Sequence, residues 1–412
     1  VPRIDPNMWL RASSADRIPW TVVEVFEPGS VVKPLTVAAA LEAGVITPET
    51  VFDTHNGKLR IADRTIRDLR PMKEASVAEI LKHSSNIGTA EIARKLGQKE
   101  LYTVFLRAGL GATTGLPMPH EASGSLRRGK KGWDTVSFAN ISFGQGLSVT
   151  PLQIARIFAA LGNDGRLMVP HIIRKIEGTD GHILYEAQPQ IAAQIVSPET
   201  ARTVRQLLAG VVEPGATGQK AAIAECPVGG KTGTGQQYVK DPETGKKGYS
   251  GNAEVASFGG LVPIHEPRYA IYVVVDRPVG GMGGGTAAAP IFRDVAKTLI
   301  ETQGLQPCGM DTLATTTFRN IVPQPTRRPK ITTPEEVDAP LSPIPDSVIV
   351  PELLGKTVPE ALQLISTQEL RPTVQGSGLV VSQHPKPGAL VAKGTAVDIS
   401  CNLNAGRPDA HR

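Results

Sequence analysis

The sequence predicts an α+β fold in which an antiparallel sheet carries helices on its faces, followed by a smaller α+β module. Two β-rich runs, EVASFGGLVP and RYAIYVVVDRP, are joined by the short connection IHEP, which is typical of an antiparallel hairpin. Segments with helical periodicity lie on both sides of this hairpin, which favours a sheet covered by helices. A proline-rich stretch without hydrophobic periodicity then separates this body from a short C-terminal segment.

Three segments predict the helices of the body. SVAEILKH begins with Ser76 and Glu79 at the spacing of a capping box, and its apolar residues share one face. TAEIARKLG repeats this pattern and is expected to end at Gly97. AAAPIFRDVAKTLIETQ predicts a closing helix after the hairpin.

The domain boundaries follow from these patterns. We expect a body over residues 1–305, an extended linker over 306–347, a module over 348–402 and a tail over 403–412. Ala361, Leu362 and Ile365 form the predicted apolar stripe of the single helix in the module. The module has no ionisable cluster that could perform chemistry, so we interpret it as a binding or spacer domain.

Composition excludes several classes of function. The 412 residues are 40% hydrophobic, which supports a sizeable core, and the net charge of +5 is too modest to favour nucleic acid as a partner. The one basic cluster, Arg127 to Lys131, is expected to be a solvated loop. No apolar run approaches the roughly 18–20 residues needed to span a bilayer.

The cysteines and histidines predict no metal site or cofactor. Cys226, Cys308 and Cys401 are odd in number and far apart, which indicates neither a disulfide framework nor a zinc site. The eight histidines show no paired metal-ligand spacing. The glycine-rich stretch Gly280 to Gly285 lacks the features of a phosphate-binding loop, so we expect a flexible loop there.

Ser30 and Lys33, in the stretch EPGSVVKP, raise the first question about chemistry. On a helix this spacing places both side chains on one face, where the amine could act as a base for the hydroxyl. An ordinary lysine, with a pKa of about 10.4, is protonated at neutral pH and cannot do so without a perturbing environment. Because S-x-x-K occurs by chance about once or twice in a chain of this size, the motif alone favours an ordinary helix start.

Two further motifs change this interpretation. SSN, Ser84 to Asn86, lies between two predicted helices, where short polar side chains can point into a cleft. KTGT, Lys231 to Thr234, lies just before the predicted hairpin, and Gly233 leaves a strand face uncovered for a peptide-like substrate. S-x-x-K, S-x-N and K-T-G in this order are the signature of penicillin-binding proteins and serine β-lactamases.

Longer stretches extend the resemblance over nearly the whole chain. VFEPGSVVKP, FGQGLSVTPLQIA, EPGATGQKAA and GGTAAAPIF resemble the transpeptidase domain of class B penicillin-binding proteins, above all the FtsI type. VPELLGKTVPEAL and VVSQHPKPGALVAKGTAVDIS resemble a PASTA domain. The implied fold is that of penicillin-binding transpeptidases and serine β-lactamases, an antiparallel sheet with helices on both faces.

The resemblance implies a penicillin-sensitive D,D-transpeptidase that cross-links peptidoglycan stem peptides, in septal wall synthesis during cell division, without metal or organic cofactor. Ser30 would be the nucleophile and Lys33 its base, kept neutral by burial and by the Lys231 cation. Ser84 would relay a proton to the leaving amine, and Asn86 would bind the substrate amide and hold Lys33.

The same resemblance assigns the substrate's carboxylate and the oxyanion. Lys231, Thr232 and Thr234, with Gly233 between them, would receive the terminal carboxylate of the stem peptide. The backbone N–H groups of Ser30 and Thr234 would form the oxyanion hole. A β-lactam would acylate Ser30 in the same way.

The resemblance also suggests a location and partners. It implies the extracytoplasmic, periplasmic face of the cytoplasmic membrane, with an N-terminal membrane helix that this chain does not contain, and a SEDS glycosyltransferase and divisome proteins as partners. Because the family's first sheet strands precede the segment that resembles IDPN here, we expect an uncovered sheet edge and low stability.

Two alternatives stay open from the sequence. A D,D-carboxypeptidase or β-lactamase-like hydrolase would use water as acceptor, although no E-x-x-L-N segment resembling that of class A β-lactamases is present. An inactive relic whose PASTA-like module binds the cell wall is the second, and the intact set of motifs argues against it.

Overall fold

The computed structural model of the chain describes residues 18–118, 120–126, 132–240, 247–280, 282–305, 347–387 and 389–402. The chain divides into two compact units, Val1–Thr317 and Phe318–Arg412. The basic cluster at 127–131, the linker except for its last residue, and the tail lie outside the described residues. The predicted domain boundaries therefore stay predictions.

The first unit contains nine α-helices and eleven β-strands within its described residues. The helices are α1 Trp20–Val23, α2 Lys33–Glu42, α3 Val77–His83, α4 Asn86–Leu96, α5 Gln98–Arg107, α6 Thr135–Ser142, α7 Pro151–Gly162, α8 Pro198–Gly210 and α9 Gly284–Gln303. The strands are β1 Val51–Asp53, β2 Lys58–Ile61, β3 Arg64–Arg67, β4 Glu74–Ser76, β5 Arg166–Met168, β6 Lys175–Glu177, β7 Ile183–Glu186, β8 Ile191–Gln194, β9 Gly229–Lys240, β10 Lys247–Val262 and β11 Tyr269–Asp276. Short 3-10 turns occupy Gly29–Val32, His55–Gly57 and Gln219–Ala221.

A three-stranded antiparallel sheet in the order β11-β10-β9 organises this unit. Helix α9 packs on one face, where Phe292 contacts Phe258 in a tilted aromatic pair with ring centroids 4.8 Å apart. Helix α7 packs on the other face, where Phe158 lies against the backbone of Gly259. The predicted α+β fold, with an antiparallel hairpin and helices on both sheet faces, is confirmed.

The two edges of this sheet have different surroundings. Strand β9, which carries the KTGT motif, lies at one edge next to the turn Gly29–Val32. Strand β11 lies at the other edge, and it has no second partner strand among the residues that the structure describes. The sequence predicted an uncovered sheet edge without naming the strand. The low stability predicted with it stays a prediction.

Two of the predicted helix ends can be compared with the structure, the start of α3 and the end of α4. The Ser76 side chain accepts from Glu79 N, and Glu79 accepts in return from Ser76 N, so the predicted capping box at α3 is confirmed. Helix α4 ends at Gly97 as predicted, although it begins at Asn86, earlier than the TAEIARKLG pattern indicated. Helix α4 packs against both α2 and α6, and all three helices contribute residues to the larger core.

The second unit has the predicted one helix and several short strands. Helix α10 spans Val358–Thr367, and the strands are β12 Ser347–Ile349, β13 Arg371–Gly376, β14 Leu379–His384, β15 Leu390–Ala392 and β16 Ala396–Asn402. Ala361 and Ile365 are fully buried in its core, as predicted. Leu364, rather than Leu362, is the further helical leucine that packs against this core.

The cysteines differ from the prediction. Cys226 is disulfide-bonded, while Cys401 is free. The spacing of the cysteines indicated no disulfide framework and did not reveal this bond, because spacing does not show which cysteines meet in the fold.

The described residues contain neither a membrane-spanning helix nor a metal-binding group of side chains. None of the described helices combines the length with the apolar composition needed to cross a bilayer. No group of three or more His, Cys, Asp or Glu side chains in the same residues could hold a metal ion.

Candidate active site

The turn at Gly29–Val32 places Ser30 directly before a buried lysine. Gly29 has φ +58, a conformation that favours glycine, and the 3-10 turn that follows leads into α2 at Lys33. The backbone N–H of Lys33 donates to Ser30 O, so the two residues lie on the same turn. Ser30 is half-buried, whereas the Lys33 side chain is completely buried.

The connection between α3 and α4 places two further polar side chains beside that lysine. Ser84 caps the C-terminal end of helix α3, directly after His83. Its left-handed backbone (φ 59, ψ 40) is uncommon for a residue other than glycine. Ser85 then caps α4 by accepting from Gly88 N, and Asn86 is the first residue of the helix. The tight polar connection predicted for SSN is therefore present.

The Lys33 amine contacts three oxygen atoms of Ser84 and Asn86. Its Nζ lies 2.6 Å from Ser84 O, 3.2 Å from Ser84 Oγ and 2.8 Å from Asn86 Oδ1. A carbonyl and an amide oxygen can only accept, and they use both N–H groups of an uncharged amine. The lone pair of that amine is then available to accept a proton from a neighbouring hydroxyl. No hydrogen bond from Ser30 Oγ to Lys33 occurs among the described residues.

Lys231 approaches Ser84 from the sheet. Its Nζ donates to Ser84 Oγ over 2.8 Å and to Thr232 O over 3.1 Å. The hydroxyl of Ser84 therefore lies between the two lysine amines. This arrangement forms a continuous hydrogen-bonded path from Lys231 through Ser84 to Lys33.

Burial and mutual repulsion favour the uncharged forms of these amines. The pKa of Lys33 is well below its ordinary value, first because burial removes water and second because the Lys231 cation is near, while Asp68 opposes the shift. Burial lowers the pKa of Lys231 to about 7. The uncharged form of Lys33, which can accept a proton, is therefore more favoured than in an ordinary exposed lysine.

Asp68 supports this site, and the sequence analysis did not identify it. Its Oδ1 accepts from the backbone N–H groups of Asn86 over 2.6 Å and Ile87 over 3.1 Å. Its Oδ2 accepts from Ser85 Oγ over 2.5 Å. Asp68 thus fixes the start of α4, and no local pattern around RDLRP could have revealed a contact with residues 17–19 positions later.

We expect Asp68→Ala to lower the free energy of unfolding by about 2–3 kcal/mol, because three hydrogen bonds to a carboxylate at a helix start are lost. Urea unfolding would measure it, and labelling by penicillin should also slow because Asn86 loses its fixed position. Asp63→Ala is the control, since Asp63 is exposed and its one recorded ion pair is a 3.7 Å contact with Arg64. An equal effect in both variants would contradict this role.

The KTGT strand lies against the turn that carries Ser30. A Cβ atom on Gly233 would lie 2.8 Å from Val31 Cγ1 and 3.0 Å from Pro28 O. A Cβ atom on Gly29 would lie 2.4 Å from Thr234 O. Because neither position has room for a side chain, the backbones approach closely, and Ser30 and Thr234 lie on adjacent segments. The side chain of Thr234 is exposed and that of Thr232 is buried.

Gly144 holds this turn from the other side. Gly29 N donates to Gly144 O over 2.9 Å, Gly144 has φ +91, and a Cβ atom on Gly144 would lie 2.0 Å from Gly29 O. We expect Gly144→Ala to lower the free energy of unfolding by at least about 2 kcal/mol and to slow labelling by penicillin, because the turn must move.

Gly44→Ala separates conformational strain from this contact. Gly44 also has a positive φ, of +66, but a Cβ atom there would meet nothing within 4 Å. We expect it to destabilise the protein by only about 1–2 kcal/mol and to leave labelling unchanged. Thermal or urea unfolding and labelling of both variants measure the difference, and equal labelling rates would contradict it.

The hydroxyl of Ser84 thus lies between the buried amines of Lys33 and Lys231, and Ser30 lies on the turn that leads to Lys33. The family profile described as penicillin binding protein transpeptidase domain matches residues 2–297, and the profile described as PASTA domain matches residues 348–401. The chain belongs to the penicillin-binding protein transpeptidase family, and it carries a C-terminal PASTA domain. The resemblance found in the sequence is confirmed.

Relatives from several bacteria are similar to the first unit. Penicillin-binding protein PbpB of Mycolicibacterium smegmatis is 35% identical over 291 residues, which cover 68% of this chain and 44% of the relative. Peptidoglycan D,D-transpeptidase FtsI of Escherichia coli is 34% identical over 71% of this chain and 46% of its own. Probable peptidoglycan D,D-transpeptidase PenA of Neisseria flavescens is 32% identical over 74% of this chain and 72% of its own. The chain spans about half the length of most of these relatives.

Solved structures show the same fold. The transpeptidase domain of penicillin-binding protein 3 from Burkholderia pseudomallei matches with a TM-score of 0.62 and 34% identity, covering 70% of this chain and 82% of that one. Penicillin-binding protein 3 from Mycobacterium tuberculosis, complexed with aztreonam, matches with a TM-score of 0.63 and 32% identity, covering 69% and 64%.

Proposed function

We propose that this chain is a penicillin-sensitive peptidoglycan D,D-transpeptidase that acts through an acyl-enzyme on Ser30. The observation that carries the proposal is the hydrogen-bonded path from Lys231 through Ser84 to Lys33. This path ends at Lys33, on the same turn as Ser30. FtsI and PenA, relatives at 34% and 32% identity, are peptidoglycan D,D-transpeptidases by name, which agrees with this activity. No step requires a metal or an organic cofactor.

In the first step, Ser30 Oγ attacks the carbonyl carbon between the two terminal D-alanines, and its proton passes to the neutral amine of Lys33. The backbone N–H groups of Ser30 and Thr234, which lie on adjacent segments, donate to the developing oxyanion. The C–N bond then breaks, and the leaving amine takes a proton through Ser84. D-alanine departs, and an ester links Ser30 to the stem peptide.

In the second step, an amine of a neighbouring stem peptide attacks the ester carbonyl. Lys33 and Ser84 accept its proton, the bond from carbon to Ser30 Oγ breaks, and Ser30 takes a proton back. The product is a peptide cross-link, and the enzyme returns to its starting state. Water in place of the amine would give hydrolysis.

The edge of the sheet places the donor peptide. Strand β9 has no partner strand on its outer side within the described part of the chain, so a peptide can lie beside Lys231 to Thr234 as an additional strand next to the Ser30 turn. Lys231, Thr232 and Thr234 receive its terminal carboxylate. The expectation that Gly233 leaves a strand face uncovered for the substrate is wrong, because the space beside Gly233 is filled by Val31 and Pro28 of the Ser30 turn. Asn86, held by Lys33 and by the carbonyl of Arg67, binds the substrate amide.

Labelling with a fluorescent penicillin tests the acylation step. We expect one label per chain for the wild type and none for Ser30→Ala, because only the acylated serine carries the drug. Ser148→Ala is a matched control, since Ser148 is half-buried like Ser30 and its backbone bonds to that of Ser125. Wild type without Ser30-dependent label would support an inactive cell-wall-binding relic instead.

Product analysis separates transfer from hydrolysis. The enzyme is given stem peptides ending in D-alanyl-D-alanine, with and without an acceptor amine. Transpeptidation predicts cross-linked product in the presence of the amine. It also predicts that water cleaves the penicilloyl ester on Ser30 only slowly. Rapid hydrolysis of penicillin, or D-alanine release without cross-linked product, would assign the chain to the hydrolases.

The proposed reaction also suggests where the protein works. Its substrate lies outside the cytoplasmic membrane, and the disulfide at Cys226 is typical of an oxidising compartment. We therefore place the protein at the extracytoplasmic face of that membrane, in septal synthesis with a SEDS glycosyltransferase and divisome proteins as partners. Fractionation of cells that express the protein tests the location, and a cytoplasmic pool alone would contradict it.

A further inference from the structure

A second feature beside the site is a strongly basic hairpin. Strands β2 and β3 pair antiparallel, and the segment from Lys58 to Lys73 contains six basic and two acidic residues. All six basic side chains are exposed; they are Lys58, Arg60, Arg64, Arg67, Arg70 and Lys73. We call this surface the basic hairpin.

The two carboxylates of the segment do little to neutralise it. Asp68 is occupied by Ser85 and by the backbone N–H groups at the start of α4. Asp63 pairs with Arg64 alone, at 3.7 Å. The other five cations form no ion pair with the residues that the structure describes.

The hairpin also holds like charges in unfavourable positions. Lys58 lies directly opposite Arg67 in the strand register, where like charges destabilise a sheet. Arg70 Nη1, by contrast, donates to His83 Nδ1 over 3.1 Å, which requires a neutral imidazole ring; burial and the Arg70 cation both lower the pKa of His83 and favour that form. Such a concentration of exposed positive charge is compatible with folding and is relieved when an anion binds.

The basic hairpin is fixed to the catalytic residues. Arg67 O accepts from Asn86 Nδ2 over 3.0 Å, and Asp68 binds the next residues of α4. The hairpin therefore lies on the Asn86 side of Lys33, whereas Lys231 and the KTGT strand lie on the other side of Ser84. Leu69, between Asp68 and Arg70, is fully exposed and adds an apolar contact at the same place.

We propose that the basic hairpin binds the carboxylates of the acceptor, an acidic stem peptide on a neighbouring glycan strand. This rests on the proposed function, which assigns the donor carboxylate to Lys231, Thr232 and Thr234 and so leaves the basic hairpin for the acceptor. Stem peptides carry free carboxylates along a short chain, and arginine binds carboxylates in a two-pronged geometry. A bilayer fits less well, because the hairpin offers it one fully exposed large apolar side chain.

The test compares two triple variants of equal charge change. The hairpin variant is Lys58→Gln, Arg60→Gln and Arg64→Gln; the control variant is Lys99→Gln, Arg202→Gln and Lys297→Gln, which removes exposed charges on α5, α8 and α9. Co-sedimentation at low salt measures binding to uncross-linked glycan strands with intact stem peptides. We expect binding by the hairpin variant to be about tenfold weaker and by the control variant unchanged, since each exposed cation contributes modestly.

Two further binding measurements, with amidated strands and with lipid vesicles, identify the ligand. Strands with amidated stem carboxylates should bind wild type as weakly as the hairpin variant binds the unmodified strands. Equal losses in the two variants, or no effect of amidation, would overturn the proposal, as would hairpin-dependent binding to phosphatidylglycerol vesicles alone. Matching unfolding curves show that the variants fold. Penicillin labelling reports the donor half separately, so an unlabelled wild type would contradict the proposed function without deciding the binding result.

Discussion

Replacing Lys33 by glutamine is expected to slow acylation of Ser30 by about two to four orders of magnitude, the usual contribution of a general base. Glutamine keeps a polar group near Ser84 and Asn86 but cannot accept a proton from Ser30. Because Lys33 is completely buried and its Nζ contacts only oxygen atoms of that cluster among the described residues, no exposed residue can substitute for it.

The measurement is the second-order rate of labelling by a fluorescent penicillin. Lys220→Gln is the control, since Lys220 is an exposed lysine on the turn Gln219–Ala221 and should label at the wild-type rate. Unfolding curves show whether Lys33→Gln still folds, and a folded variant that labels within tenfold of wild type would contradict the role of Lys33.

The rate of acylation is expected to pass through a maximum as pH is varied. Lys33 must be neutral to act as a base, so below its lowered pKa the rate falls about tenfold per pH unit. Lys231 must be charged to attract an anionic substrate, and its pKa of about 7 sets the decline on the alkaline side. Both limbs describe the free enzyme, because second-order rates report groups in the unbound protein.

The variant Lys231→Gln separates these two limbs. Removal of the Lys231 cation takes away one cause of the low pKa of Lys33, so the acid limb should move to higher pH. The alkaline limb should disappear, because the group that titrates there is absent. Stopped-flow acylation over about pH 5–10 measures both, and an unchanged profile in the variant would contradict the assignment.

Local sequence patterns determined much of the fold. The Ser76–Glu79 capping box, the end of α4 at Gly97 and the hairpin of β10 and β11 each depend on residues near one another in the chain. The motifs S-x-x-K, S-x-N and K-T-G are likewise local, and their order is what made the resemblance specific. The disulfide of Cys226, by contrast, was not indicated by the spacing of the cysteines.

The sequence by itself determined which residue types could perform the chemistry and in which order they occur. Only the tertiary structure decided that Ser84 Oγ lies between two buried amines, because Lys33 and Lys231 are 51 and 147 residues from it. The pKa of each lysine depends on the water removed and the charges brought near by folding, which no sequence spacing specifies. The position of Asp68 at the start of α4 was decided in the same way, by a contact between distant segments.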